Sequence, residues 1–342
     1  MEVKNNKNYQ NYIGIEWSQE VVVVARMSSN STAILETVSM KPSVEQLRDY
    51  LIKLRGSKII TIEETTTSHW LYVELYKVVD KIIICDPYRN SLLKDGPKND
   101  KRDAGTLCLL LRHGLLKEVY HSDDKLFELR KFVSIYTDFV KASVRLKNQQ
   151  SALYRSVGKK VKQEKHQINF EGDLINFVSG AQSEGIIFLK QIRDKFEHEM
   201  DKIARTNADV RRLRQISGIG KKYSVIITAI IIDMNRFENK YKFWSYCGLV
   251  KYERESGGRL YGKKSPRYCR ILKGVFKSAV TAAISGNNDI RVYYEYLLQK
   301  GLSLTNARKE IARYIAKSVY GVMKYKTDYR SYQWRENKIK AA

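Results

Sequence analysis

The chain carries no proline between Pro97 and Pro266. A proline inside a helix removes a backbone hydrogen bond and clashes with the preceding turn, so a span this long without one permits helices of many turns. Within it Leu126, Leu129, Val133, Tyr136, Val140 and Val144 recur at steps of three and four residues, and Ile186, Leu189, Ile192, Phe196 and Ile203 do much the same. The spacing predicts two antiparallel helical arms, over 125–155 and 184–213, joined by a polar segment, 156–183, that contains Gly158, Gly172 and Gly180. A coiled coil and an ordinary helical bundle fit this pattern equally well.

Before the arms the pattern is different. YIGIEWS, EVVVVARM and AILETVSM read as three short β-branched strands separated by turns, the beginning of an antiparallel sheet. A helical stretch follows (Ser43 to Leu54), then strand KIITIEE, helix HWLYVELYKVV, strand KIIICDP and a helical stretch from Asp100 to Leu116. This order predicts a mixed α/β sheet with helices on its faces. After the arms, LRQISGIGKKYSVIITAIIID reads as an apolar helix entered through a Gly-Ile-Gly turn. Such a turn resembles a helix-hairpin-helix, whose backbone N–H groups meet phosphate, and equally a plain tight turn into a packed helix. The remainder alternates basic, glycine-containing loops with aromatic helices and ends in an amphipathic helix, Ala307 to Tyr325.

Charge divides the chain at the same place as pattern. The 342 residues carry a formal net charge of +25. Residues 1–124 are balanced, so all of it falls on 125–342. A field of that sign points to a polyanionic partner and away from an acidic or neutral metabolic surface. Tyr241, Tyr246, Tyr252, Tyr261 and Tyr268 are interleaved with Lys and Arg in this basic part, a composition suited to stacking bases and following phosphates, although core packing accounts for many of the 23 tyrosines. No recognition helix for base readout stands out.

Several chemistries are excluded or weakened. Cys85, Cys108, Cys247 and Cys269 lie far apart, without metal spacing or a disulfide framework, and suit a reducing cytoplasm. His69, His113, His121, His166 and His198 show no ligand spacing. The longest apolar run, Val225 to Ile232, is far too short to span a bilayer, and the N-terminus has no signal-like apolar region, so no membrane association is expected. Gly257 to Lys264 misses a phosphate-binding P-loop by one residue, with Lys264 where the hydroxyl residue must be, which argues against nucleotide hydrolysis.

Four acids are placed where such a sheet would gather them: Glu16 ending the first strand, Glu63 ending the fourth, and Asp100 with Asp103 on one face of a helix start. Clustered carboxylates suit a divalent cation such as Mg²⁺, and two such ions clamp an in-line displacement at phosphorus. Each acid has a plainer role open to it: Asp100 reads equally as an N-cap. Glu64 adjoins Glu63, and only one of the two can face the site; Glu63 is favoured. In the basic part Ser256 sits in a glycine-rich loop among Arg254, Arg259, Lys263, Lys264, Arg267 and Arg270, either a turn residue or a nucleophile with cations beside it.

Over nearly its whole length the sequence resembles the DEDD transposases of the bacterial insertion-sequence class, the IS one-ten type that includes the Piv/MooV DNA invertases. KNDKRDA is close to that family's K-T-D-x-x-D-A, and YCGLVKYERESGG is similar to its Y-x-G-L-x-P-x-x-x-x-S-G-G; YIGIEWS, IEETTT and ISGIG fall in the matching order. The resemblance implies an α/β RuvC-like (RNase H-type) domain over 1–124, a long helical, coiled-coil-like linker over 125–212, and a mainly α-helical transposase domain over 213–342 that supplies a serine. Carried over by position, the metal-binding acids are Glu16, Glu63, Asp100 and Asp103, and the serine is Ser256.

The resemblance further implies Mg²⁺ or Mn²⁺ as cofactor and a bacterial or archaeal cytoplasmic setting. It also implies a homo-oligomer, dimer or tetramer, whose sites pair the acids of one protomer with the serine of another. The expected partners are the element's DNA ends and target, and a structured noncoding guide RNA. Phosphate contacts are expected from Arg254, Arg259, Lys263, Lys264, Arg267 and Arg270, and from Lys221 and Lys222 at the Gly-Ile-Gly turn. This chain departs from the family in having Glu16 for the first Asp, and Glu64-Thr65-Thr66 where Ala-Thr-Gly is usual. A site-specific invertase, and a non-catalytic nucleic-acid-binding relative, are the alternatives.

Overall fold

The structure is a computed structural model and describes residues 8–90, 99–121, 126–159 and 170–331. The chain divides into two compact units, Met1–Asp124 and Lys125–Ala342.

The first unit is mixed α/β. Strands β1 (Asn11–Trp17), β2 (Val22–Ser28) and β3 (Glu36–Met40) form an antiparallel meander, followed by helix α1 (Val44–Lys53), β4 (Lys58–Glu63), helix α2 (Ser68–Leu75), β5 (Lys81–Cys85), helix α3 (Asp100–Arg112) and the short β6 (Glu118–Val119). Sheet order is β3-β2-β1-β4-β5-β6, with β1, β4 and β5 parallel and β6 antiparallel to β5. Strand alternation sorts the β-branched residues into two cores. Ile13, Ile15, Ile60, Ile62, Ile82 and Ile84 pack with Leu47 and Leu51 of α1 and Leu71 and Leu75 of α2. Tyr12, Ala25, Ile59, Ile83 and Cys85 pack with Ala104, Leu107, Cys108 and Leu111 of α3.

Gly14 is where α3 meets the sheet. A Cβ there would lie 2.5 Å from the backbone nitrogen of Cys108 and collide with the carbonyl oxygen of Ala104, so only glycine lets the helix backbone rest on the strand. The Cys108 thiol donates to the Tyr12 carbonyl at 3.2 Å.

The second unit is mostly helical. Helices α4 (Phe127–Ser156) and α5 (Asp173–Thr206) pair along their length, followed by α6 (Ala208–Leu213), α7 (Lys221–Ile231), a 3₁₀ turn (Met234–Arg236) and α8 (Lys240–Tyr246). A hairpin, β7 (Tyr252–Ser256) and β8 (Arg259–Lys264), leads to α9 (Arg270–Ser285), α10 (Asp289–Gln299) and α11 (Leu304–Tyr325). One core joins Val133 and Tyr136 of α4 and Met200 and Ala204 of α5 to the apolar faces of α7, α9 and α11. Among the described residues no helix is long and apolar enough to cross a membrane.

Three details differ from the sequence expectation. The second arm begins at Asp173, eleven residues before 184, because Gly172 ends the loop at a positive φ of 132° and Asp173 suits the N-terminal turn, while Gly180 and Gly185 are carried inside the helix. The arm stops at Thr206, since Asn207 turns extended and its side chain accepts from the Val210 N–H to start α6. The third is the hairpin: β7 and β8 form where only basic loops were expected, because Gly257 (φ 57°) and Gly258 (φ 76°) supply the two left-handed positions of a tight two-residue turn.

Candidate functional site

The register of the first unit sets the acids. β1 pairs with β4 in parallel through Ile15↔Ile62, which puts Glu16 and Glu63 one residue further along the same ladder. Glu16 continues the Tyr12, Gly14 parity and Glu63 the Ile59, Thr61 parity, so both belong to the face covered by α3. Both are half-buried, and Glu64, one position on, is exposed. Glu63 lies close enough to Cys85 that its charge, after burial as the larger cause, helps push that thiol up to about 12.

Helix α3 runs antiparallel to β1: Cys108 and Ala104 lie on Gly14 and Cys108 bonds back to Tyr12. The turn before Ala104 therefore extends toward the Glu16 end of the strand. Asp100 and Asp103 stand four residues before Ala104 and Leu107, on the helix side that faces the sheet. Asp100 shares a shallow cavity with Val21, Val23, Ser39, Asn99 and Lys101, and Val23 is the cross-strand partner of Glu16. The N-cap of α3 is Asn99, whose Oδ1 accepts from the Lys101 N–H at 3.0 Å, so Asp100 is not the cap.

The C-terminal ends of β1 and β4 form one rim of the sheet, with Glu16 and Glu63 on its α3 face, and in the first turn of α3 Asp103 is half-buried and Asp100 exposed. Among the described residues, no three His, Cys, Asp or Glu side chains are close enough to share one ion. In kind the donors fit Mg²⁺ or Mn²⁺, since all are hard carboxylate oxygens. Sequence reasoning passed over Asp86, a buried carboxylate after β5; it accepts from the Tyr88 N–H at 2.9 Å and pairs with Arg89 at 3.8 Å, which holds the turn at that end of the strand.

In the second unit Ser256 is the last residue of β7, paired with Arg259 across the two-glycine turn. Every residue of both hairpin strands is exposed. The ribbon gathers Arg254, Arg259, Lys263 and Lys264 with the serine; Arg254 lies over the Tyr261 ring at 4.6 Å, and Lys263 pairs with Glu253 at 2.8 Å. Arg267 is exposed, as is Arg270 at the start of α9. Lys221 and Lys222 open α7 after Gly220, but their ammonium groups are engaged on α5, Lys221 with Asp201 and Lys222 with Glu197 at 3.6 Å.

Comparison with known proteins finds two family profiles on the chain. The profile of DEDD transposases of the IS110 type matches residues 13–157, which hold all four acids. That described as "Transposase IS116/IS110/IS902 family" matches residues 210–295, which hold the hairpin and Ser256. No curated protein matches the chain. Two profiles of one family in this order cover most of the sequence, and the chain belongs to the IS110 family of transposases, enzymes that recombine DNA.

Proposed function

We propose that this transposase is an RNA-guided recombinase whose first unit is a RuvC-like, RNase H-type domain holding Mg²⁺ or Mn²⁺ on Glu16, Glu63, Asp100 and Asp103, and whose second unit supplies Ser256 as the nucleophile. The observation that carries the reading is the shared parity of Glu16 and Glu63 on adjacent parallel strands, with the N-terminal turn of α3 extending over the same strand ends. When bound, the divalent cation offsets the negative charge of the phosphate oxygens.

In the proposed step Ser256 Oγ attacks phosphorus and gives up its proton. The phosphorus–oxygen bond to deoxyribose breaks, and the departing oxygen takes up a proton as a free hydroxyl. The phosphoester is kept as a serine link, and a second strand's hydroxyl displaces it in the reverse sense, so strands are exchanged without net hydrolysis. Arg254 and Arg259, on the same ribbon as Ser256, would meet charge that builds up in the transition state. Lys263, Lys264, Arg267 and Arg270 bind the backbone of DNA or guide RNA, and Lys221 and Lys222 do so on leaving their α5 carboxylates. The protein works as a homo-oligomer, pairing the acids of one protomer with the serine of another.

The test is strand exchange with the element's ends, its noncoding RNA and Mg²⁺. Asp100→Asn and Asp103→Asn are each expected to abolish cleavage with nucleic-acid binding largely kept. Ser256→Ala is expected to abolish both recombination and any protease-resistant DNA adduct. Mixing Ser256→Ala with Asp103→Asn protein restores some activity if sites are shared between protomers. Cleavage at the wild-type rate in an aspartate variant, or an adduct mapped to another residue, overturns the corresponding assignment.

A further inference from the structure

The rim that carries Glu16 and Glu63 also carries aromatic rings, one at or beyond the end of each of its three parallel strands. Trp17 closes β1, immediately after Glu16. Trp70 lies in the first turn of α2, seven residues after Glu63, and Tyr88 follows β5. Trp17 has the parity opposite to Glu16, so it turns to the face covered by α1 and α2, where it packs against their core. Trp70 meets it edge to face, with ring centroids 5.5 Å apart and planes at 81°. That contact leaves Trp70 42% exposed, and Tyr88 is 78% exposed.

A tryptophan held by a second tryptophan and still open to solvent is costly to leave bare, since its ring is among the largest apolar surfaces a side chain offers. A tryptophan side chain has only two torsions, so little entropy is lost when a flat partner covers it. Between Glu63 and Trp70 the chain is Glu64-Thr65-Thr66-Thr67-Ser68, with the Thr65 and Thr67 hydroxyls 3.0 Å apart. Hydroxyls next to an exposed indole match a nucleotide, with a phosphate for the former and a base for the latter. The Thr65 and Thr67 hydroxyls bond each other, and the proton left over from that bond can be donated to a phosphate oxygen but not to a purely apolar partner.

We propose that Trp70 is a stacking platform for an unpaired nucleobase of the DNA strand held at the acid rim. A strand crossing the C-terminal ends of β1 and β4 can present a phosphate to the α3 face while the neighbouring base turns to the α2 face and covers the indole. Trp17 is the positioning residue that fixes the ring's angle. The inference rests on the acid-rim reading for the identity of the strand, and its own test does not depend on cleavage.

The experiment uses the full chain. Oligonucleotides carrying 5-iododeoxyuridine in an unpaired stretch beside a duplex are photo-crosslinked and the adduct is mapped by mass spectrometry, with a blunt duplex and an all-ribose single strand as the other arms. The crosslink is expected on Trp70 with the unpaired DNA and not with the blunt duplex. At salt high enough to screen phosphate attraction, Trp70→Leu is expected to weaken the partly unpaired DNA about ten-fold, as loss of one stacked base does, while Trp70→Phe keeps most of the affinity. Melting temperature and circular dichroism check that both variants fold.

Equal affinity in a folded Trp70→Leu protein, or a crosslink that maps elsewhere, overturns the platform. A response to the ribose strand alone overturns the assignment to DNA. The crosslink is expected to persist in Asp103→Asn. Asp103→Asn protein that still cleaves DNA while crosslinking through Trp70 defeats the acid reading and spares the platform; loss of cleavage without any crosslink to Trp70 does the reverse.

Discussion

Replacing Gly14 by alanine tests how the sheet positions the acids. The added Cβ would stand 2.5 Å from the Cys108 nitrogen, where ordinary contact begins at 3.4 Å, and it would also strike the Ala104 carbonyl oxygen. Both obstacles are backbone atoms in the middle of a 13-residue helix, so no rotamer change relieves them and α3 must lift by roughly 1 Å. Overpacking of this kind costs about 1–3 kcal/mol. For a unit of this size each kcal/mol lowers the melting temperature by about 4 °C, which gives an expected fall of about 4–12 °C.

The same lift carries Asp100 and Asp103 away from the strand ends that bear Glu16 and Glu63. A displacement of that size at a reacting centre costs about 100-fold in rate, so cleavage is expected to fall further than stability explains. Gly105→Ala is the matched control. Its Cβ would meet only the Cδ1 of Ile34, at 2.8 Å, the movable end of a side chain, and alanine is worth up to about 1 kcal/mol over glycine inside a helix. The assay is calorimetric melting alongside strand cleavage. Gly14→Ala protein with wild-type melting and wild-type cleavage refutes the reasoning.

Glu16→Asp is expected to retain or raise strand cleavage, because it restores the carboxylate length usual in the family; complete loss shows a site adjusted to glutamate. In filter binding across a salt series, residues 125–342, which carry all of the +25, are expected to bind DNA and RNA with steep salt dependence, and residues 1–124 weakly; equal affinities refute the charge partition. The double variant Gly257→Ala, Gly258→Ala puts side chains at two left-handed positions with open space around them, so cleavage is expected to fall at unchanged melting temperature, and a drop in melting temperature shows the hairpin to be part of the core after all.

Much of the first unit was legible because its signals are local. The β-branched alternation in YIGIEWS, KIITIEE and KIIICDP is strong enough to mark β1, β4 and β5, and the apolar period after Asp100 marks α3, although the cap is Asn99 and not Asp100. What could not be read was pairing: that Glu16 and Glu63 share a parity depends on the β1–β4 register, and that Asp100 reaches their end depends on Gly14 accepting a helix backbone. Neither is a property of any short stretch of sequence. In the second unit the start of the second arm was set too late, because Gly172 and Gly180 look like breakers and only Gly172 ends the loop. The Gly185 position faces Leu146 of the other arm at 3.1 Å, so there a small residue serves close packing. The hairpin was missed because its strands have no buried face and hence no hydrophobic period to detect.

That exposure changes what sequence variation between residues 252 and 264 can mean. A substitution at Gly14 or Ile13 is tolerated or rejected by packing, and its effect says nothing direct about DNA. In the hairpin no side chain belongs to a core, so folding leaves most of those positions free, and the two turn glycines are the exceptions. In a library of variants selected for transposition, intolerance along this ribbon reports contact with something outside the protomer. The pattern of rejected residues would trace the partner's outline on the protein, position by position, without any structure of the complex.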